Sequence, residues 1–263
     1  MPNQLVHGAT IHYRQRGAGV PLVLVHGFPL DQRLWEGQWT DLSRCCRVIT
    51  PDLPGFGLSG GGESFSIESL ADDLHAFLQQ MEALPAVLGG LSMGGYVAQA
   101  YVQKYAADLR GLILLDTRAS ADTPAGKQAR NEMIELARQK GSAAVAEQMR
   151  PKVLPPQADP QVLARVTEMM TACPSRTIQQ ASAAMRDRPD YTEALGRIAV
   201  PTLVVVGELD ALSPPSVALA MQKAIPRATL AVIAGAGHLS PIERPQQVNR
   251  AIEQFLAGIS PPP

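Results

Sequence analysis

The sequence Gly90-Leu91-Ser92-Met93-Gly94 lies between a short apolar run, residues 86–88, and a segment with a helical pattern, residues 96–104. A G-x-S-x-G motif between a strand and a helix is typical of a sharp turn that exposes a nucleophilic serine. The glycines leave room where the helix and the strand pack closely. The motif therefore predicts Ser92 as a nucleophile. A glycine-rich turn that binds a phosphate, or that only packs, is the alternative.

Short apolar runs recur along the chain, most of them without alternation of polar and apolar residues. Such runs are typical of strands that helices cover on both faces of a parallel sheet. Apolar residues spaced by three and four after Ser66 and after Pro245 indicate amphipathic helices between the strands. The pattern predicts an α/β fold with a mostly parallel, doubly wound sheet. The predicted strands are residues 5–7 and 10–14, which form a hairpin, and residues 21–25, 47–50, 86–88, 112–115, 202–206 and 229–233.

Residues 117–196 interrupt this rhythm, because they contain no strand pattern and are rich in Ala, Met, Gln and Arg with several prolines. This composition indicates short helices broken by prolines. We therefore expect a core formed by residues 1–116 and 197–263 and an inserted helical cap at residues 117–196. The last residues, 260–263, are expected to be disordered.

The overall composition argues against several classes of partner. The 263 residues carry 23 Lys and Arg against 24 Asp and Glu, a net charge of −1, which does not favour nucleic-acid binding. Three cysteines, two of them adjacent, do not form a disulfide framework, and neither a signal peptide nor a membrane span is visible. No metal-ligand or phosphate-loop spacing occurs. We expect a cytoplasmic protein without metal, cofactor, nucleic-acid or membrane partner; its oligomeric state stays open.

A serine hydroxyl needs a neighbouring base to become a nucleophile. His238 follows the last apolar run and precedes the last helix, so it lies at the carboxyl end of a strand, where α/β sheets place their sites. His238 is therefore the candidate base. His75 falls off the apolar stripe of its helix and is expected to face solvent, and His7 and His12 belong to the hairpin.

The histidine in turn needs an acid that holds its tautomer. Asp210 follows the run at residues 202–206 and completes the chain order serine, acid, histidine. Asp116 also fits this order and Glu208 is a third choice. We favour Asp210, because an acid one strand earlier is a rarer arrangement.

The oxyanion of an acyl-transfer reaction needs backbone donors. The amide of Met93, directly after Ser92, is one candidate. The amide of Phe28, in the turn His26-Gly27-Phe28-Pro29 that follows residues 21–25, is the other. His26 is then expected to shape this turn rather than to transfer protons.

Several blocks of the sequence, taken together, resemble the α/β-hydrolase family. They lie at both ends of the chain and leave only the cap unmatched. The resemblance implies the α/β-hydrolase fold, the triad Ser92, Asp210 and His238, and a structural role for the loop at residues 52–59. The blocks are His26-Gly27-Phe28-Pro29, Asp52-Leu53-Pro54-Gly55-Phe56-Gly57-Leu58-Ser59, Gly90-Leu91-Ser92-Met93-Gly94-Gly95, Gly207-Glu208-Leu209-Asp210, and Gly237-His238 through Glu243 and Pro245.

Departures within the family narrow the expected chemistry. Serine at position 92 is unlike the aspartate nucleophile of the family's dehalogenases and epoxide hydrolases, and Leu30 and Leu239 differ from the pattern of its carbon–carbon bond hydrolases. The chain is similar to carboxylesterases, enol-lactonases and cofactor-free perhydrolases. We expect cleavage of a small carboxylic ester or lactone through an acyl-enzyme; a ligand-binding receptor on the same scaffold is the alternative. Six cap residues either line an acyl pocket or, as such residues more often do, belong to the core: Met149, Val153, Leu154, Met169, Met170 and Met185.

Overall fold

The computed structural model describes residues 2–61 and 64–259, and the strands in these residues form one mixed sheet. The strands are β1 (Asn3–Val6), β2 (Ala9–Arg16), β3 (Pro21–Val25), β4 (Arg47–Pro51), β5 (Ala86–Leu91), β6 (Leu109–Leu115), β7 (Thr202–Gly207) and β8 (Ala228–Ile233). Their order in the sheet is β1-β2-β4-β3-β5-β6-β7-β8. The pairs β1–β2 and β2–β4 are antiparallel, and all other neighbours are parallel. The predicted strands and the opening hairpin are confirmed.

Helices cover both faces of this sheet. The α-helices of the described residues are α1 (Glu36–Leu42), α2 (Ile67–Gln80), α3 (Met93–Tyr105), α4 (Pro124–Val153), α5 (Pro160–Ala172), α6 (Ser175–Asp187), α7 (Pro215–Ala224), α8 (Ser240–Glu243) and α9 (Pro245–Gly258). Short 3₁₀ turns span Gln32–Trp35, Ala106–Asp108 and Leu195–Arg197. Among the described helices, none combines the length and the apolar character needed to cross a bilayer.

Burial on both sides explains the uniform apolar runs of β3, β5 and β7, whereas β8, at the edge of the sheet, is only partly buried. In β3, Val23 and Val25 pack into the cluster that contains α2 and α3, whereas Leu22 and Leu24 pack into the cluster that contains α1 and α9. Successive side chains of a strand point to opposite faces, so each face receives every second residue. Because both faces are covered, no position in the run is polar.

Helix α2 begins where the sequence predicts. The Ser66 hydroxyl accepts a hydrogen bond from the Ser69 amide at 3.1 Å, and the Ser69 hydroxyl accepts one from the Ser66 amide at 2.9 Å. This reciprocal pair satisfies two donors that the first turn of a helix leaves unpaired.

The prediction that His75 faces solvent is wrong. Its ring stacks on Tyr105 with 3.8 Å between the ring centroids, and Nδ1 lies 3.2 Å from a carboxylate oxygen of Asp108. Helix α3 packs against α2 and covers the flank of the apolar stripe with aromatic side chains. An apolar periodicity does not reveal such a contact, because the stacked residue is itself polar.

Three helices, α4, α5 and α6, lie between β6 and β7, and the described residues there contain no strand. The expectation of short helices broken by prolines is only partly right. Pro124 and Pro160 begin α4 and α5, positions where the missing N–H costs nothing. The long α4 is interrupted at Gly141 instead, where φ is 76°. The division into a core and a cap unit stays a prediction, and residues 260–263 lie outside the described residues.

Candidate active site

Ser92 occupies the turn between β5 and α3. Its backbone has φ 52° and ψ −110°, a conformation that non-glycine residues rarely adopt. The Ser92 amide donates to the carbonyl of Leu115 at 2.9 Å, and the Ser92 carbonyl accepts from the Thr117 hydroxyl at 2.8 Å. The end of β6 and the residues after it therefore hold the strained turn through both the amide and the carbonyl of Ser92.

The glycines of the motif allow close approach of backbone segments. A Cβ atom on Gly90 would lie 2.1 Å from the carbonyl oxygen of Gly94, and one on Gly94 would lie 2.3 Å from the carbonyl oxygen of Val25. Either contact is far shorter than van der Waals separation. The predicted steric role of these glycines is confirmed, and the approach brings the end of β3 against the start of α3.

The structure brings Ser92, His238 and Asp210 together. His238 Nε2 lies 2.9 Å from Ser92 Oγ, and His238 Nδ1 lies 2.8 Å from Asp210 Oδ2. The three residues follow β5, β8 and β7, so all stand at the carboxyl edge of the sheet. This edge, beside the point where the strand order reverses between β3 and β5, is where open α/β sheets bind ligands.

Asp210 is held by its own loop. Its Oδ1 accepts from the amides of Leu212 at 2.8 Å and Ser213 at 3.0 Å, and Oδ2 accepts from the Ser213 hydroxyl at 2.7 Å. Burial by itself raises the pKa of Asp210, but its hydrogen bond to His238, the charge of His238 and the bonds from Ser213 lower this pKa below its usual value. The carboxylate therefore stays ionised behind the imidazole.

Burial and the interaction with Asp210 also act on the pKa of His238, each in the direction opposite to its effect on Asp210. Burial by itself lowers the pKa of His238, but the hydrogen bond to Asp210 and the charges of Asp210 and Asp116 raise the pKa above its usual 6.5, against a smaller opposing effect of Arg118. The imidazole is thus a stronger base than in water.

The other two candidate acids, Asp116 and Glu208, accept hydrogen bonds from groups other than His238. Asp116 accepts from the Gly207 amide at 2.7 Å and from the Ser240 hydroxyl at 2.5 Å. Burial raises the pKa of Asp116 to about 7. Glu208 accepts from the Gly235 amide at 2.9 Å. Of these three carboxylates, only Asp210 hydrogen-bonds the imidazole.

Glu243 supports the loop of His238, a role that the sequence reasoning missed. Its two carboxylate oxygens accept from the amides of Gly237 at 2.9 Å and Leu239 at 3.0 Å, the residues on either side of His238. The sequence did contain one indication of this role. Glu243 lies five residues after His238, at the end of the short helix α8, and its side chain can reach the free N–H groups at the start of that helix.

Replacement of Glu243 by glutamine is expected to lower the free energy of unfolding by about 1–3 kcal/mol, because one of the two buried amides loses its acceptor. The loosened loop is also expected to lower kcat by roughly tenfold, since small misplacements of reacting groups are costly. Urea denaturation and ester hydrolysis measure the two effects. Glu147→Gln, at an exposed position of α4, is the matched control. Equal stability of the two variants would contradict the assignment.

The two candidate oxyanion donors lie beside Ser92. Met93 is the first residue of α3, so its amide has no acceptor within the helix. A Cβ atom on Gly27 would lie 3.4 Å from Ser92 Cβ, which places the turn that carries Phe28 against the serine. No hydrogen-bond acceptor among residues 2–61 and 64–259 engages the Phe28 amide. Both N–H groups therefore remain the candidate oxyanion donors.

His26 braces this turn, as predicted. The ring is fully buried, with Nδ1 3.0 Å from the Gly27 carbonyl and Nε2 accepting from the Leu53 amide at 3.0 Å. Burial lowers the pKa of His26, against weaker opposing effects of Asp52 and other groups. The neutral imidazole therefore links the loops that follow β3 and β4, and the loop that begins at Asp52 has the structural role predicted for it.

A cavity of about 230 Å³ opens above Ser92 and His238. Met149 and Val153 of α4 line it together with Phe28, and the Val153 carbonyl accepts from the His238 amide at 3.1 Å. Of the six cap residues considered for the acyl pocket, the other four are buried and do not line this cavity: Leu154, Met169, Met170 and Met185. A larger cavity, about 650 Å³ and lined by His12, Arg14 and Trp39 among others, contains none of the three hydrogen-bonded residues. We take the smaller cavity as the candidate active site because it holds the reactive groups.

A metal role finds no support in the described part of the chain. No group of three or more His, Cys, Asp or Glu side chains there could hold a metal ion.

The fold is that of an α/β hydrolase. A model of the alpha/beta hydrolase family matches residues 22–251, and the chain belongs to that family. The AB hydrolase superfamily protein YisY of Bacillus subtilis is 30% identical over 256 residues, which cover 94% of this chain and 95% of that protein.

Two solved structures resemble the chain over nearly its full length. A thermophilic esterase from Thermogutta terrifontis, in a malate-bound form, has a TM-score of 0.94 and 38% identity and covers 98% of both chains. The enol-lactonase from Burkholderia xenovorans LB400 has a TM-score of 0.90 and 26% identity over 97% of this chain and 100% of that one.

Proposed function

We propose that the protein is a serine hydrolase that cleaves small carboxylic esters or lactones through an acyl-enzyme. The observation that carries the proposal is the continuous row of hydrogen bonds from Asp210 through His238 to Ser92, with Ser92 Oγ and His238 lining a cavity of about 230 Å³. Cavities for drug-sized ligands measure about 300–1,000 Å³, so this one suits a smaller molecule. The similarity to an esterase and an enol-lactonase supports the same class.

The reaction begins when Ser92 Oγ attacks the carbonyl carbon while His238 Nε2 takes the hydroxyl proton. Asp210 keeps the other ring proton on Nδ1 and stabilises the imidazolium that forms. The carbonyl oxygen becomes an oxyanion and accepts hydrogen bonds from the amides of Phe28 and Met93. Each such donor contributes about 3 kcal/mol to transition-state stabilisation.

The tetrahedral intermediate then collapses and the carbon–oxygen bond to the alcohol breaks. His238 returns its proton to the departing alkoxide, and the acyl group remains on Ser92. A water molecule enters, gives a proton to His238 and attacks the acyl carbon. In a second collapse the bond from the acyl carbon to Ser92 Oγ breaks, His238 returns its proton to Ser92 Oγ, and the carboxylic acid is released. In a lactone the alcohol remains attached to the acyl chain, and the same steps open the ring.

The test is hydrolysis of short p-nitrophenyl esters and of simple lactones, followed beyond one turnover per protein molecule. We expect many turnovers, and we expect a fluorophosphonate to label Ser92 with a matching mass increase on the peptide that contains it. A single slow turnover, accompanied by a change in binding to another protein, would instead favour a ligand receptor. Formation of peracid from acetate and hydrogen peroxide, faster than ester hydrolysis, would favour a perhydrolase.

The rate is expected to depend on pH through His238. Only the neutral imidazole accepts the serine proton, so kcat/KM for an uncharged ester rises as pH increases through the pKa of His238. Because Asp210 and Asp116 raise this pKa, the inflection is expected above 6.5. Initial rates between about pH 5 and pH 9 measure it. Asp116→Asn removes one of the charges that raise the pKa of His238 and is expected to shift the inflection downward. An inflection below 6.5 in the unaltered protein would contradict the role given to His238.

A further inference from the structure

One wall of the active-site cavity carries an excess of positive charge. Three guanidinium groups surround the buried carboxylate of Asp122: Arg130 Nε lies 3.0 Å from Oδ2, Arg188 Nη1 lies 3.0 Å from Oδ1, and Arg118 Nη2 lies 3.4 Å from Oδ1. One carboxylate cannot neutralise three arginines. Lys152 also lines the cavity and has no ion-pair partner among residues 2–61 and 64–259, while the acidic side chain in the lining is Glu132.

The three arginines differ in how many of their N–H donors have an acceptor. Arg188 is fully buried, stacks on Tyr96 at 4.0 Å, and donates to the carbonyls of Met185 at 2.6 Å and Ser120 at 2.8 Å. It therefore has a structural role. Its bonds also hold Asp122 and Tyr96 in place beside the cavity.

Arg118 is the least satisfied of the three. Its contacts are two long ones, 3.4 Å from Nε to the Tyr96 hydroxyl and 3.4 Å from Nη2 to Asp122. A guanidinium has five N–H donors, so most donors of Arg118 have no acceptor among residues 2–61 and 64–259. The side chain is 35% exposed and lines the cavity that contains Ser92.

We propose that the substrate of this hydrolase carries a free carboxylate, which binds to Arg118 with Arg130 beside it while Ser92 attacks the ester or lactone carbonyl. The inference rests on the proposed function of the same site. A planar guanidinium matches a carboxylate with two parallel hydrogen bonds, and the partly enclosed cavity strengthens them. The apolar contacts of Phe28, Met133 and Met149 suit a short hydrocarbon chain between the two groups. Half-esters of small dicarboxylic acids, and lactones that bear a carboxylate, have this chemistry.

The first measurement compares matched esters, with methanol release or pH-stat titration as the readout. Monomethyl glutarate carries the free carboxylate, whereas methyl pentanoate and dimethyl glutarate are uncharged. We expect kcat/KM for monomethyl glutarate to be about ten- to hundredfold higher, since hydrogen bonds to charged groups contribute about 1.5–3 kcal/mol. 4-Acetoxybutanoate, with its carboxylate on the alcohol side, shows which part of the ester faces Arg118.

The second measurement repeats the comparison in variants. On the alkaline plateau of the pH profile, where the pKa of His238 no longer affects the rate, Arg118→Gln is expected to lower kcat/KM for monomethyl glutarate about tenfold or more relative to that for methyl pentanoate, mainly through KM. Arg118→Lys retains the charge and is expected to restore part of the loss. Arg138→Gln, an exposed arginine paired with Glu135 on α4, is the matched control and is expected to change neither substrate.

A binding experiment separates this proposal from the proposed function. Ser92→Ala cannot form the acyl-enzyme, so calorimetry on this variant measures binding of intact monomethyl glutarate. We expect tighter binding than for methyl pentanoate, and loss of the difference in Ser92→Ala/Arg118→Gln. Carboxylate-selective binding without hydrolysis by the unaltered protein would overturn the proposed function and leave the ligand class standing. Equal binding of charged and uncharged esters, or equal effects of Arg118→Gln on both, would overturn the assignment of Arg118.

Discussion

Replacing Ser92 with alanine is expected to lower kcat for ester hydrolysis by about 10⁵- to 10⁶-fold, because the acyl-enzyme cannot form and the remaining groups act as a unit only with the serine. This loss corresponds to about 7–8 kcal/mol of transition-state stabilisation. The residual rate comes from oxyanion donors and substrate binding, which the substitution leaves in place.

The fold is expected to tolerate this change. Alanine at position 92 must adopt the same positive φ as serine, so the strain of the turn is not altered, and the hydrogen bonds of the Ser92 backbone remain. Thermal unfolding within a few degrees of the unaltered protein checks this point. Ser216→Ala, at an exposed serine of α7, is the control and is expected to have full activity. If Ser92→Ala retained a tenth of the activity, Ser92 would not be the nucleophile.

Asp210→Asn is expected to lower kcat by roughly 10⁴-fold. Asparagine can donate a hydrogen bond to His238 Nδ1, which places the ring proton on Nε2. That nitrogen then cannot accept the proton of Ser92, although the geometry is nearly unchanged. The substitution also removes the charge that raises the pKa of His238.

Asp116→Asn provides a matched comparison, since it makes the same chemical change one strand away. Asp116 accepts hydrogen bonds from Gly207 and Ser240, whereas the imidazole of His238 is hydrogen-bonded to Asp210. We expect a loss in kcat of at most about tenfold, or ~1.4 kcal/mol. Steady-state kinetics on both variants near pH 8 decide between the acids. A larger loss in Asp116→Asn would mean that the acid lies on β6 rather than after β7.

Hydrogen bonds within two of the loops hold Asp210 and His238, two members of the proposed triad. Hydrogen bonds from Leu212 and Ser213 hold Asp210, and the carboxylate of Glu243 holds the residues around His238. Their effect is to keep the imidazole between its two partners without substrate. Such preorganisation lowers the cost of reaching the transition state.

The elements that could be predicted are those that local sterics and burial specify. The turn at Ser92 is recognisable because only glycine fits at positions 90 and 94, where a Cβ atom would collide with backbone carbonyls. The strands are recognisable because residues buried on both faces must all be apolar. His238 could be identified because its loop follows the last strand of a parallel sheet, whose carboxyl ends lie together.

Other features could not be read in this way. The interruption of α4 falls at Gly141 rather than at a proline, and the ring of His75 packs on Tyr105 although its position is off the apolar stripe. The interruption depends on a backbone angle that residue type alone does not set. The packing of His75 depends on a neighbour in another helix.

By itself the sequence determined the mostly parallel sheet and indicated a serine at its edge with a histidine beside it, because close backbone approach and burial on two faces restrict which residues are allowed. Only the tertiary structure decided which of Asp116, Glu208 and Asp210 meets the imidazole and that Glu243 holds its loop. It also decided that Arg118 lines the cavity with two long contacts among the described residues. All three carboxylates follow strands, so their positions in the sequence do not distinguish them. Electrostatic pairing depends on distances of a few ångströms between segments far apart in the chain, and those distances exist only once the loops are folded.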